Sequence, residues 1–263
     1  FTGNTGIHYQ LIKQLAAKIN ANSSFRQTSL SDLYWHPGGN PNLKPEESYE
    51  MDGGLEFNYS KNNFSALIEA TYFNRHTTNW IIWLPSEKSY WTPKNIAEVY
   101  SRGTETKTEL TYLKKDVLIK LTINTAYVLS TNQKNTSEND NSVGRQLIYT
   151  PRYNGQATFL IKYKNMSILY NNNYTGYRFT TTDNTSWLNP YYIANVKCSY
   201  NYSFSTVNME LFCSINNLLN KNYVVVQNTP MPLRNYEVGL CMNYHKKKKT
   251  TSTNPLEIIN NAK

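Results

Sequence analysis

The sequence predicts an all-β chain of long antiparallel strands that forms part of a transmembrane β-barrel. Three observations carry this reading. Apolar and polar residues alternate with period two in segment after segment. Each segment runs about 9–13 residues, the reach of a tilted strand across a bilayer, whereas strands of soluble proteins average about 5–6. The connections alternate between short and long, as barrels do with tight turns on one side of the membrane and loops on the other.

In chain order, a first strand is expected near Gly6–Gln10. Leu15, Ala17, Ile19 and Ala21 then share one face, with Lys18, Asn20 and Asn22 on the other. Met51, Gly53, Leu55, Phe57 and Tyr59 oppose Asp52, Glu56 and Asn58, and Phe64, Ala66, Ile68, Ala70 and Tyr72 oppose Ser65, Glu69 and Thr71. Val117, Ile119, Leu121, Ile123 and Tyr127 follow against Lys120, Thr122 and Asn124. Ala157, Phe159, Ile161 and Tyr163 oppose Thr158 and Lys162. Tyr192, Ala194, Val196, Cys198, Tyr200 and Tyr202 oppose Asn195, Lys197, Ser199 and Asn201. Val207, Met209, Leu211, Cys213 and Ile215 oppose Asn208, Glu210, Ser214 and Asn216, and Tyr236, Val238, Leu240, Met242 and Tyr244 oppose Glu237 and Asn243.

Short connections are expected at 61–63, 114–116, 164–165 and 203–205, and long ones near 26–46, 77–94, 130–149, 178–190 and 220–233. Tyr59, Tyr112, Tyr163, Tyr202 and Tyr244 gather near strand ends, where interfacial girdles sit. About eleven strands result, the first and last running toward the short-turn side. Closing such a sheet on itself would pair parallel strands, so further strands are expected before Phe1.

Composition agrees. Among 263 residues only 17% are charged, 14% are aromatic and 22 are Tyr, with a mean hydropathy of −0.62. Apolar runs such as Tyr223–Val226 and Ile81–Leu84 are too short for helical spans, which need about 18 residues or more. The net charge of +9 is scattered apart from Lys246–Lys249, which argues against a nucleic-acid partner. Cys198, Cys213 and Cys241 are odd in number and widely spaced, which fits neither a disulfide framework nor a zinc site. They read as small buried or lipid-facing residues. Phe1-Thr2-Gly3-Asn4 opens no signal peptide.

Motifs of catalysis are missing: there is no G-x-S-x-G, H-E-x-x-H or phosphate-binding loop. His8, His36, His76 and His245 are isolated, so neither a metal site nor a cofactor is expected, and the chain does not read as an enzyme. Glu105, Lys107 and Glu109 alternate on one strand face and read as lumen-lining charges. Recognition falls to the long connections. The segment 77–94 holds Trp80, Trp83, Tyr90 and Trp91, with Tyr34, Trp35 and Trp187 as further candidates.

Several motifs, in order, resemble the TonB-dependent outer-membrane receptors. Asn40-Pro41-Asn42-Leu43-Lys44-Pro45-Glu46 is similar to their N-P-x-L-K-P-E, and Asn216-Asn217-Leu218-Leu219-Asn220-Lys221-Asn222-Tyr223 to their N-N-L-F-D-K-x-Y. Pro230-Met231-Pro232-Leu233-Arg234 is similar to P-x-P-G-R, with Leu233 in place of the usual Gly. Leu33-Tyr34-Trp35-His36-Pro37-Gly38-Gly39 resembles the cobalamin receptors within that family. The resemblance implies the C-terminal portion of a 22-stranded barrel, about strands 12 to 22, over residues 1–245; residues 246–263 depart from the family and are expected to form a basic, disordered tail. It also implies the outer membrane of a Gram-negative bacterium, contact with outer-membrane lipid, and an upstream plug through which the TonB complex acts. The implied ligand is cobalamin, or else an iron chelate such as a siderophore or haem; a passive porin-like barrel is the other reading.

Overall fold

The structure is a computed structural model that describes residues 2–86, 90–135 and 141–244. Its main strands are β1 (Gly3–Ile12), β2 (Leu15–Arg26), β3 (Glu46–Lys61), β4 (Phe64–Pro85), β5 (Trp91–Lys114), β6 (Val117–Asn132), β7 (Tyr153–Tyr163) and β8 (Met166–Thr175). A helical turn α1 (Leu30–Tyr34) lies between β2 and β3. Two short strands, β9 (Arg178–Phe179) and β10 (Trp187–Leu188), pair with each other, and β11 (Tyr191–Phe204) and β12 (Val207–Asn216) follow. A second small ribbon, β13 (Val224–Val226) with β14 (Thr229–Pro230), precedes the last strand, β15 (Asn235–Tyr244). The 11 long strands form one antiparallel sheet in chain order, from β1 at one edge to β15 at the other. The sheet is open, and its two edge strands run in the same direction.

The two ends of the sheet differ. One end carries tight hairpin turns, and the first residue of four of them, Asn62, Lys115, Lys164 and Ser205, has φ between 49 and 53°. Hairpin turns that match strand twist require such a positive φ. Next to these turns Tyr59, Tyr112, Tyr163, Tyr202 and Tyr244 are all exposed, a row of aromatic rings along one rim. The other end carries every long connection.

Cross-strand register separates the two faces. One row reads Ile119, Ile161, Ile168, Cys198, Cys213 and Val238 across six adjacent strands. Of these, Ile168 is 48% and Val238 is 73% exposed, so the apolar row is not the core of a soluble sandwich. Such a face is stable only against hydrocarbon. The opposite face is polar and paired. Lys18 bonds Glu69 at 2.7 Å, Lys107 and Lys120 each bond Glu109 at 3.0 Å, and Lys197 bonds Glu210 at 2.8 Å. Asn20 donates to Asp52 at 2.8 Å. A polar concavity of about 540 Å³ lies on this face, lined by Glu69, Glu105, Lys107, Asn124 and Gln156 among others. This is the lumen side of a barrel wall.

The strands match the sequence reading except at one hairpin. The segment 77–94, expected to be a long loop, is mostly strand: β4 and β5 run 22 and 24 residues and pair up to Pro85↔Trp91. That is about twice the length a bilayer crossing takes, so the hairpin projects beyond the membrane.

Candidate functional site

The long-loop rim is where chemistry converges, and its scaffold comes first. The connection from β2 to β3 is tied down by carboxylates. Glu46 takes two hydrogen bonds from Arg26, at 2.8 and 2.6 Å, and a third from the buried backbone N–H of Ile81 at 2.7 Å. Helical turn α1 is capped reciprocally by Ser29 and Asp32. Asp32 is buried and accepts the indole N–H of Trp83 at 3.0 Å. Burial pushes its pKa up, but hydrogen bonds from Ser29 and Trp83 and the charge of Arg26 outweigh this and hold it below the usual carboxylate value. Lys44 and Asn95 bond each other reciprocally, N–H to Oδ1 at 2.9 Å and Nδ2 to carbonyl at 3.1 Å, and Asn40 donates to the Pro93 carbonyl at 3.1 Å. At Gly38 a Cβ would overlap the Trp91 carbonyl oxygen, so only glycine lets this loop lie on the β4–β5 hairpin.

Asparagine and glutamine fasten the other loops. Gln146 and Asn184 exchange backbone-to-side-chain bonds, both at 2.9 Å, which join the 133–152 and 176–190 connections. Asn217 is buried at φ 51°; its side chain donates to the Lys221 and Pro232 carbonyls at 2.8 and 3.3 Å and accepts from the Lys221 N–H at 2.8 Å. Leu233, which stands where the resemblance implied Gly, does not have a positive φ, and Asn228 at φ 63° turns the β13–β14 ribbon. Asp32, Asn40, Glu46 and Asn217 are thus fasteners that hold loops to strands.

What is presented is aromatic. Trp91 lies 6.3 Å from Tyr149, centroid to centroid. The Tyr149 N–H bonds the Phe179 carbonyl at 2.8 Å, and Phe179 pairs with Trp187. Trp187 lines two adjoining concavities, one of about 360 Å³ with Arg152, Tyr153, Tyr177 and Phe179, the other of about 390 Å³ with Tyr191, Lys221 and Tyr223. The Tyr191 and Tyr223 rings contact each other at a tilt of 44°, centroids 4.7 Å apart, and burial pushes the Tyr223 phenol up. Beneath them Arg178 is 3% exposed, 4.6 Å from the Tyr191 ring, and donates to the Asn189 carbonyl at 3.0 Å. Burial pulls its pKa down, and no carboxylate offsets this among the described residues.

The seven aromatic residues singled out in the sequence fall into two groups. Trp80 packs against buried Val99 and Leu147, and Trp83 is held by Asp32; both are half-buried. Tyr34, Trp35, Trp91 and Trp187 are 40–66% exposed. Tyr90 is half-buried beside Gly38. Tyr149, Phe179, Tyr191, Arg152 and Arg178 escaped the sequence reading, and Tyr223 entered it only as part of a motif, because single residues in Asn- and Thr-rich loops carry no periodic signal. His245 and the expected 246–263 tail lie outside the described residues.

A sheet with one lipid face, one polar face and an elaborated rim defines the wall of a transmembrane β-barrel receptor. The chain belongs to the TonB dependent receptor-like β-barrel family, whose model matches residues 1–218. It is 25% identical over 232 residues to the vitamin B12 transporter BtuB of Photobacterium profundum, covering 87% of this chain and 35% of that protein. It is 33% identical over 84 residues to the vitamin B12 transporter BtuB of Vibrio vulnificus, or 32% of this chain and 13% of that one. The chain therefore spans about a third or less of the curated relatives' length. Among solved structures, the copper transporter OprC superposes with a TM-score of 0.66 at 14% identity, covering 93% of this chain and 39% of that one. The ferric citrate transporter FecA in its unliganded form gives 0.63 at 15% identity, covering 92% and 38%. These structures share the fold. The family consists of outer-membrane receptors and transporters.

Proposed function

We propose that this chain is the wall and outer rim of a receptor that imports a large, scarce nutrient across the outer membrane, with cobalamin as the ligand. The likeness over 232 residues to a vitamin B12 transporter is the observation that carries the ligand. The aromatic rim supports it: a corrinoid is broad, flat and partly apolar, and exposed rings stack on such surfaces with about 0.5–1.5 kcal/mol each beyond area burial. In this reading Trp91, Trp35, Tyr34 and Trp187 contact ligand, while Trp80 and Trp83 hold the hairpin that carries Trp91. Release into the periplasm then needs a plug domain and the separate TonB complex acting on it. An iron chelate is the second reading, favoured by the aromatic groups and the two cations, Arg152 and Lys221, that line the concavities at Trp187.

The test uses the full-length receptor in outer-membrane vesicles. Ala at Trp35, Trp91 and Trp187 together is expected to weaken cyanocobalamin binding about tenfold or more, given the stacking increments above. Heat-modifiable gel migration should stay unchanged. Unaltered affinity in a folded triple variant would remove these rings from the site. Binding of a ferric siderophore with none of cyanocobalamin would replace the ligand and leave the family intact.

A further inference from the structure

We propose that Cys198 and Cys213 are a redox pair that closes to a disulfide across the β11–β12 hairpin, leaving Cys241 as a lone thiol. Fifteen residues apart in sequence, the two are direct cross-strand partners. Both are exposed on the apolar face, and both line one groove with Ile161, Ile168, Leu211 and Val238. Cys241 pairs with Glu210 instead, on the polar face.

The register specifies the geometry further. The turn at 205–206 leaves Phe204 and Val207 as flanking partners. A two-residue hairpin loop makes that first pair a hydrogen-bonded one, and such pairs alternate with non-bonded ones up the ladder. Cys198↔Cys213 lies six steps on, an even number, so it too is hydrogen-bonded. Cα atoms in such pairs are about 5.5 Å apart, within the span a disulfide bridges, and the Cβ atoms, about 5.5 Å apart, must draw in to about 4 Å as the bond closes. A slip of one residue in either strand would send the thiols to opposite faces, so the bond can form only in the native register.

An outer-membrane chain passes through an oxidising compartment before it inserts. There the thiolate of one cysteine attacks the disulfide of a periplasmic dithiol oxidase and forms a mixed disulfide. The second thiolate then attacks the protein sulfur and displaces the oxidase thiolate. Two thiol protons are lost, two electrons pass to the oxidase, and one S–S bond joins β11 to β12. The resulting clamp holds the hairpin next to the edge strand β15. The proposal goes beyond nutrient import and does not depend on the ligand.

The test is thiol mapping of the full-length receptor, extracted from outer membranes into an alkylating denaturant without reductant. The expected result is a peptide linking Cys198 to Cys213, lighter by the two thiol hydrogens, with Cys241 alkylated. Reduction before alkylation should label all three cysteines. Alkylation of Cys198 and Cys213 without reduction would overturn the proposal for the cell. A second arm treats purified, folded, reduced receptor with the membrane-permeant thiol oxidant diamide, which reaches groups on the lipid face. Failure to lose both thiols there would overturn the geometry itself, whatever the compartment. Cys198→Ser should leave Cys213 fully alkylated; a new link from Cys213 to Cys241 would show that proximity does not choose the partner.

Discussion

Neighbouring side chains at 123 and 124 meet different solvents. Ile123 lies on the apolar face, opposite Thr108 and Ala157, and Asn124 lines the polar concavity. Arg on the lipid face near mid-bilayer costs about 2–4 kcal/mol, whereas the lumen side hydrates a charge. Ile123→Arg is therefore expected to destabilise the folded receptor by about that amount, and Asn124→Arg by much less, in denaturant titrations in lipid vesicles. Equal losses would remove the assignment of the faces. At this scale the sequence was fully legible, because β6 puts successive residues on opposite sides and each side has its own solvent. The alternation said nothing about partners, however. That Glu46 would collect three hydrogen bonds, or that Cys198 would face Cys213, depends on register set by turns and loops elsewhere.

Among the elements, the β4–β5 hairpin was the least legible, for a physical reason. Trp80, Ile81, Ile82, Trp83 and Leu84 form a continuous apolar run, which shows no period of two. Trp80 and Ile82 pack on Val99 and Leu147, while Ile81 and Trp83 bond to Glu46 and Asp32 from the other side. A strand covered on both sides looks, in sequence, like a hydrophobic loop. The Trp83–Asp32 bond gives a prediction at this scale. Trp83→Phe keeps the ring and removes the donor, leaving a buried carboxylate oxygen unpaired, at a cost of about 1–3 kcal/mol. The 27–45 connection should then be cleaved faster by protease, with the barrel intact on gels; equal cleavage would show that Trp83 does not anchor the loop. Acid should act likewise. Asp32 has a depressed folded pKa, so its contribution is present above the ordinary carboxylate value of about 3.9 and is lost as pH falls through the folded value beneath it. Protease sensitivity should be flat from neutral pH down to about 4 and should rise below that. Asp32→Asn should be sensitive at neutral pH already.

For the whole molecule, the sheet's two edges matter most. β1 and β15 each present an unpaired side over 10 residues, and both run toward the short-turn end. The alternation and turn spacing made the strand number and this parity readable from sequence, because each bilayer-length segment flips the chain. In hydrocarbon each unpaired backbone group costs several kcal/mol, and an edge strand leaves about every second residue's N–H and C=O unsatisfied. Pairing β1 with β15 directly would be parallel, against the all-antiparallel pattern of closed membrane barrels. Curling cannot therefore rescue the isolated sheet, whose apolar face also needs a continuous lipid annulus. Residues 1–263 expressed alone are expected to aggregate or to stay protease-sensitive, with no heat-modifiable band, whereas the full-length receptor shows one. Vesicle reconstitution and planar-bilayer recording give the check. Discrete, stable channels from residues 1–263 would mean that the edges meet after all, and that the 11 strands of this sheet are enough for a closed pore.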